Sequence, residues 1–169
     1  MYAVPDLRAL LPQTPFVVVG GVATRLYMPE RMTLDIDILI LAEDAAGVYQ
    51  ALEATAASRQ GILTIGGTTW QLQDGTVLNV IEGGEAWAHE AVYNPVEDAT
   101  GLPIIRLPYL VLMKLAAGRV QDLAELTRML GASDDTLLQQ VCSVVQLYMP
   151  DALGDIESMI ALGKLEFEG

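Results

Sequence analysis

Apolar residues fall into short β-branched blocks along the first two thirds of the chain and into helical spacing along the last third. Phe16–Val19 is an apolar run that breaks on Gly20-Gly21, and further on Leu34, Ile36, Ile38 and Ile40 alternate with Asp35, Asp37 and Leu39. Short β-branched runs bounded by turn residues predict buried strands, here Phe16–Val19 and Thr33–Leu41. Between them Gly21–Tyr27 reads as a short helix stopped by Met28-Pro29. Glu43–Ser58 reads as an amphipathic helix, with acids at its start, Gly61 after its end, and Val48, Leu52 and Ala56 recurring every fourth residue. Strands are predicted at Ile62–Ile65, Thr68–Gln73 and Thr76–Ile81. The last two are joined through Asp74-Gly75 in a hairpin with a type I′ turn.

Pro5–Leu11 reads as a short helix or turn, Glu85–Tyr93 as a helix, and Gly101–Arg106 as a short strand. Helices follow over Leu107–Gly118, with Pro108 at its start and glycine at its end, and over Asp122–Leu130. A further helix capped by Ser133 runs to about Met149, and a last one over Asp151–Lys164. The expected fold is α/β (α+β): a small mixed sheet flanked by helices, with a helical C-terminal extension. All 169 residues are expected in one domain, with a core over 1–106 and a helical part over 107–169 packed on it.

Composition narrows the partners. Hydrophobic residues make up 52% of the chain and charged residues 18%, against about 25% charged in ordinary domains, so the core is generous. No apolar run approaches the ~18 residues of a membrane span. The amino-terminal stretch lacks the basic-then-apolar order of a signal peptide. A single cysteine, Cys142, excludes an internal disulfide and fits the cytoplasm; its apolar helical surroundings predict a core thiol. His89 reads as a surface or cap residue. The net charge of −13 argues against a broad nucleic-acid footprint, which needs a basic face. It leaves room for contact with an RNA end, or for a basic protein partner.

The candidate chemistry lies where the apolar pattern is interrupted. On a strand, residues i and i+2 share a face, so Asp35 and Asp37 point the same way, their attachment points roughly 6.6 Å apart. Two negative charges at that separation repel by about 2.5 kcal/mol at an effective dielectric of 20. A divalent cation held by oxygen ligands is the natural compensator. Gly20-Gly21 lets backbone approach a ligand closely and opens a helix whose free N–H groups suit an anion. Either feature alone is a weak signal; their conjunction between two apolar strands points to a nucleotide site. The Leu107–Gly118 helix is apolar on every face except at Lys114. Such a helix is buried, and its lysine must snorkel to water or meet an anion. Arg119 and Asp122 fit ordinary helix-start residues, the aspartate favoured by the dipole.

Val19-Gly20-Gly21, thirteen intervening residues and Asp35-Ile36-Asp37-Ile38 resemble the signature of the nucleotidyltransferase-fold superfamily (DNA polymerase β-like). Arg31-x-Thr33-x-Asp35 resembles its smaller bacterial branches, including the AbiEii-like enzymes of toxin–antitoxin systems. Lys114-x4-Arg119-x2-Asp122-Leu123 resembles their closing segment. The resemblance is carried by residues 16–41 and, more loosely, by 102–130.

It implies transfer of a nucleoside monophosphate from an NTP, dependent on Mg²⁺ (or Mn²⁺). Asp35, Asp37, Lys114 and Asp122 would be the catalytic set. Gly20, Gly21, Arg31, Thr33, Lys114 and Arg119 would bind the nucleotide, and Asp35, Asp37 and Asn79 the metal. Asn79 stands where the family places a third acid. Its amide oxygen brings no charge, which weakens a second metal site, and Glu82 points to the opposite face of a regular strand. The acceptor is an RNA end, a protein hydroxyl or a small molecule, and a toxin component would have an antitoxin or other protein partner. The alternative is a catalytically impaired nucleotidyltransferase fold that binds nucleotide or a partner protein.

Overall fold

The computed structural model describes residues 4–168; Gly169 and the first three residues of the stretch read for a signal peptide lie outside it. The chain alternates α1 (Leu7–Leu10), β1 (Val17–Val19), α2 (Gly20–Tyr27), β2 (Ile36–Leu41), α3 (Ala45–Ala54), β3 (Ser58–Ile62), β4 (Gly67–Gln71) and β5 (Val77–Gly83). Then come α4 (Ala88–Tyr93), β6 (Val96–Glu97), β7 (Pro103–Ile104), α5 (Leu107–Ala117), α6 (Val120–Gly131), α7 (Asp135–Tyr148) and α8 (Leu153–Phe167). The result is a mixed α/β fold with a central sheet flanked by helices and a C-terminal helical extension. It divides into two compact units. One takes the described residues up to Ala23 with Arg31–Ile105, the other Thr24–Glu30 with Arg106 onward.

Among the described residues the first unit holds a seven-stranded sheet, in the order β3-β4-β5-β2-β1-β7-β6. β2 runs antiparallel to β1 and parallel to β5, and β4 pairs antiparallel with β5. Val17, Val18, Ile38, Ile40, Leu78, Val80 and Trp70 are buried, which explains why these strands read as near-continuous apolar runs. β2 begins at Ile36, not Thr33. Asp37 pairs with Val19, the last residue of β1, and the next chain position already belongs to α2. Asp35 therefore has no rung on that side.

Two other differences concern chain reversals. α3 stops at Ala54 instead of running to Ser58, because Ala56 takes a left-handed φ of 62° and the Ala57 and Ala56 N–H groups donate to the Leu52 and Glu53 carbonyls. That is a Schellman cap built without the glycine that would mark it. Gly61, read as the residue after that helix, lies inside β3. The β4–β5 hairpin forms as expected but with a different turn. Only Gly75 has positive φ (88°), and the Gly75 N–H donates to Leu72 O and the Leu72 N–H to Thr76 O. This is a three-residue loop closed by a left-handed glycine, not a type I′ turn.

The second unit is helical. Gly118, at φ 62°, ends α5 by donating to the Lys114 carbonyl. α6 and α8 cross at paired glycines: a Cβ on Gly163 would sit 2.1 Å from Thr127 O, and one on Gly131 2.3 Å from Gly163 O. Asp134, not Ser133, caps α7, its carboxylate accepting from the Leu137 N–H at 2.8 Å. Cys142 is half-buried, and burial, with the charge of Glu157, pushes its thiol up. His89, in the first unit, is exposed and stacks on Tyr93.

Candidate functional site

Two clusters gather the residues singled out in the sequence, one in each unit. In the first, the β1–α2 junction meets the start of β2. Gly20 opens α2 with φ +63°, and a Cβ added there would lie 1.9 Å from Asp37 Oδ2. The Asp37 carboxylate thus occupies the space a side chain at position 20 would fill. Gly21 does the same for Thr33, whose Cβ would be 2.7 Å from the added atom. The paired glycines are therefore needed twice over for close approach, once by a carboxylate and once by a threonine.

The register of β2, β5 and β4 sets a polar row across the sheet. Asp37 is level with Asn79, and Asn79 with Thr69. Side chains level with one another on neighbouring strands lie within hydrogen-bonding reach. Asn79 Nδ2 donates to Asp37 Oδ1 at 2.7 Å, and Thr69 Oγ1 donates to Asn79 Oδ1 at 2.7 Å. All three are half-buried, whereas Thr68, Trp70, Leu78 and Val80 on the opposite face are fully covered. Glu82 lies on that opposite face, where the Tyr49 hydroxyl donates to it.

Asp35 sits one residue before β2 and is exposed; the Thr33 hydroxyl donates to its carbonyl at 3.3 Å. Arg31 NH1 donates to the Met32 carbonyl. Among the described residues no group of three or more His, Cys, Asp or Glu side chains gathers to hold a metal ion.

In the second unit, Lys114 is buried on α5 and meets carboxylates of α6. Its Nζ lies 2.5 Å from Glu125 Oε2 and 3.5 Å from Asp122 Oδ1. Arg119, largely exposed, reaches Asp122 through Nε at 2.7 Å and NH2 at 3.3 Å, while its backbone N–H donates to Oδ2 at 3.3 Å. Gln121 Nε2 donates to the other Glu125 oxygen at 3.0 Å. Burial pushes the Asp122 carboxyl up; the Arg119 hydrogen bond and the Lys114 and Arg119 charges outweigh it and hold the group below its ordinary range. The anions that an otherwise apolar helix demands of its lysine are thus supplied, at least in part, by the protein itself.

Thr69 and Glu125 were not singled out from the sequence. Thr69 becomes visible only with the β4–β5 register, and Glu125 only as the residue one helical turn after Gln121 on α6.

No family model matches the chain, and no curated protein matches it. Among solved structures it is similar to the antibiotic-resistance factor ANT(2'')-Ia in solution, at 15% identity, over 96% of this chain and 88% of that one, with a TM-score of 0.50. For ANT(2'')-Ia in complex with adenylyl-2''-tobramycin the values are 14%, 95% and 93%, with a TM-score of 0.48. For the Thermotoga maritima CCA-adding enzyme complexed with tRNA they are 15%, 94% and 48%, with 0.43. At such identities the likeness is one of fold alone, and the first of these carries it: the chain shares the fold of ANT(2'')-Ia. No helix among the described residues is long and apolar enough to cross a membrane.

Proposed function

We propose that this chain is a nucleotidyltransferase that moves a nucleoside monophosphate from an NTP to an acceptor, with Mg²⁺ or Mn²⁺ held by Asp35 and Asp37. One observation carries the reading: the Asp37 carboxylate lies against Gly20, where a side chain would displace it. A carboxylate held against a left-handed glycine at a strand–helix junction would set a counter-ion beside the free N–H groups of the helix start, where a phosphate can bind.

The donor set fits the ion. Mg²⁺ is usually bound through one or two carboxylates plus substrate phosphates and water; Asp37 offers one beside Gly20, and Asp35, two positions earlier, would supply the second. When bound, the cation supplies Lewis-acid neutralisation of phosphate charge. The chain's own groups orient the reactants. Gly20 and Gly21, whose missing side chains make room for Asp37 and Thr33, would meet the phosphates through backbone at the start of α2, with Thr33 and Arg31 adding contacts. The acceptor's hydroxyl oxygen bonds to the α-phosphorus as the bond from that phosphorus to the pyrophosphate oxygen breaks, and the hydroxyl proton passes to solvent. The resemblance assigns Lys114 to the phosphates and Arg119 and Asp122 to its surroundings; in the second unit these three side chains and Glu125 form one ion-pair cluster. Arg31-x-Thr33-x-Asp35 favours the small AbiEii-like branch, and with it a toxin component with an antitoxin partner. The acceptor belongs to the class of RNA ends, protein hydroxyls or small molecules.

A second reading has specific support. Asn79 in place of a third acid and Lys114 already neutralised by Glu125 both favour a fold that binds nucleotide or a partner protein without turnover. Incubation with each α-labelled NTP and Mg²⁺ or Mn²⁺ separates the two: label transfer or pyrophosphate release supports the enzyme. Metal-dependent NTP binding without either supports the binding protein. The absence of any metal-dependent NTP binding would sink both.

A further inference from the structure

We propose that Asn79 serves the Asp37 site as a positioning residue and not as a metal ligand, that Thr69 orients it, and that the site consequently holds one divalent cation. The inference rests on the reading of Asp35 and Asp37 as a cation site.

The direction of each hydrogen bond follows from chemistry. A carboxylate only accepts, so the Asn79 atom 2.7 Å from Asp37 Oδ1 is the NH₂ group. That leaves the amide oxygen for the Thr69 hydroxyl, which donates to it at 2.7 Å. The one atom of Asn79 able to ligate a cation is thus turned away from Asp37 and already engaged. Turning the amide over would give up a charge-assisted bond to the carboxylate, the stronger kind of hydrogen bond.

The row is not free to adjust. Thr69, Asn79 and Asp37 are level with one another through the backbone ladders of three adjacent strands. On the other side of the carboxylate, Oδ2 faces Gly20 in the space a Cβ would take. Asp37 is therefore located from two directions, as a ligating carboxylate is when its outer partners fix it. Charge points the same way. Asp35 and Asp37 bring two carboxylates, which match one divalent cation, and a neutral amide adds nothing with which to hold a second.

Mn²⁺ titration of the full chain, followed by EPR, tests this with the metal alone. The wild type should bind one Mn²⁺ per chain. Thr69→Val removes only the hydroxyl and should weaken Mn²⁺ binding roughly ten- to a hundredfold, the usual effect of losing an outer partner. Thr69→Ser, which keeps the hydroxyl, should restore it, with the same thermal midpoint in both variants. Asn79→Asp should bind a second Mn²⁺. The positioning role is overturned if Thr69→Val binds Mn²⁺ as tightly as wild type or more tightly, since freeing the amide oxygen helps a direct ligand. It is also overturned if Thr69→Ser fails to restore binding. A single Mn²⁺ on Asn79→Asp would overturn the charge count. A wild type that binds no Mn²⁺ removes the underlying cation site, a failure distinct from the other three.

Discussion

Replacing Gly20 by alanine tests the arrangement at its tightest point, and Gly118→Ala provides a matched control. Both glycines are left-handed at nearly the same angle, φ +63° and +62°. An L-residue in that conformation costs about 1–2 kcal/mol, so the backbone penalty is common to both. Their surroundings differ. A Cβ on Gly118 meets only Leu115 O, at an ordinary 3.6 Å, whereas a Cβ on Gly20 falls 1.9 Å from Asp37 Oδ2. Reaching an ordinary contact of 3.4 Å requires a displacement of 3.4 − 1.9 = 1.5 Å. A carboxylate moved that far loses its 2.7 Å bond from Asn79. A hydrogen bond to a charged group contributes about 1.5–3 kcal/mol. Gly20→Ala should therefore be less stable than Gly118→Ala by about 2 kcal/mol, or about 6 °C in thermal midpoint for a chain of this size. It should also lose Mn²⁺ affinity about a hundredfold, the scale on which a 1 Å misplacement acts. Differential scanning calorimetry with Mn²⁺ titration reads both quantities. If Gly20→Ala melts with Gly118→Ala and keeps wild-type Mn²⁺ affinity, Asp37 is not pinned against the backbone and the site as described is wrong.

Asp35 is exposed and outside the strand ladder, so Asp35→Ala should change stability by no more than about 0.5 kcal/mol while abolishing metal-dependent nucleotide binding; a retained thermal shift with NTP–Mg²⁺ would exclude it as a ligand. Lys114→Met strips the cation from buried Glu125 and Asp122 and should cost about 3–5 kcal/mol by urea unfolding. Adding Glu125→Gln should recover part of that loss, and no recovery would mean the pair is not coupled. Because the Asp122 carboxyl is held below its unfolded value, it stabilises the fold above that value and ceases to as pH falls through the folded one. The wild type should therefore lose more stability than Asp122→Asn between about pH 5 and about pH 3; parallel acid curves would refute it. Gly163→Ala drives a Cβ to 2.1 Å from Thr127 O and should cost about 2 kcal/mol by forcing α6 and α8 apart, and an unchanged melt would deny the close crossing.

Local chemistry made much of the fold legible. The Phe16–Val19 run, the paired glycines and the Asp74-Gly75 reversal each carry their conformation in a few adjacent residues. The end of α3 does not, because Ala56 adopts a conformation usually left to glycine, and the residue pattern alone predicts a helix through to Ser58. Asp35 illustrates a different limit. Alternation with Leu34 and Ile36 looks like a strand, but β1 has no residue left to pair with it. Asn79 could be placed opposite a family position, yet which of its atoms faces Asp37 depends on Thr69, ten residues away on another strand. Lys114 announced that it needed an anion; that Glu125 and Asp122 meet it follows from how α5 packs on α6, which periodicity within either helix does not encode.

The parallel pairing of β2 with β5 has a consequence for biosynthesis. Asp37 and its amide anchor are separated by 42 positions, and the paired glycines, Arg31, Thr33 and both acids are all translated before that anchor. A nascent chain halted before Asn79 emerges from the ribosome displays both glycines and both acids with nothing to square the second acid up. Only after the later strand has been made and docked beside the earlier one does Asp37 gain its amide partner.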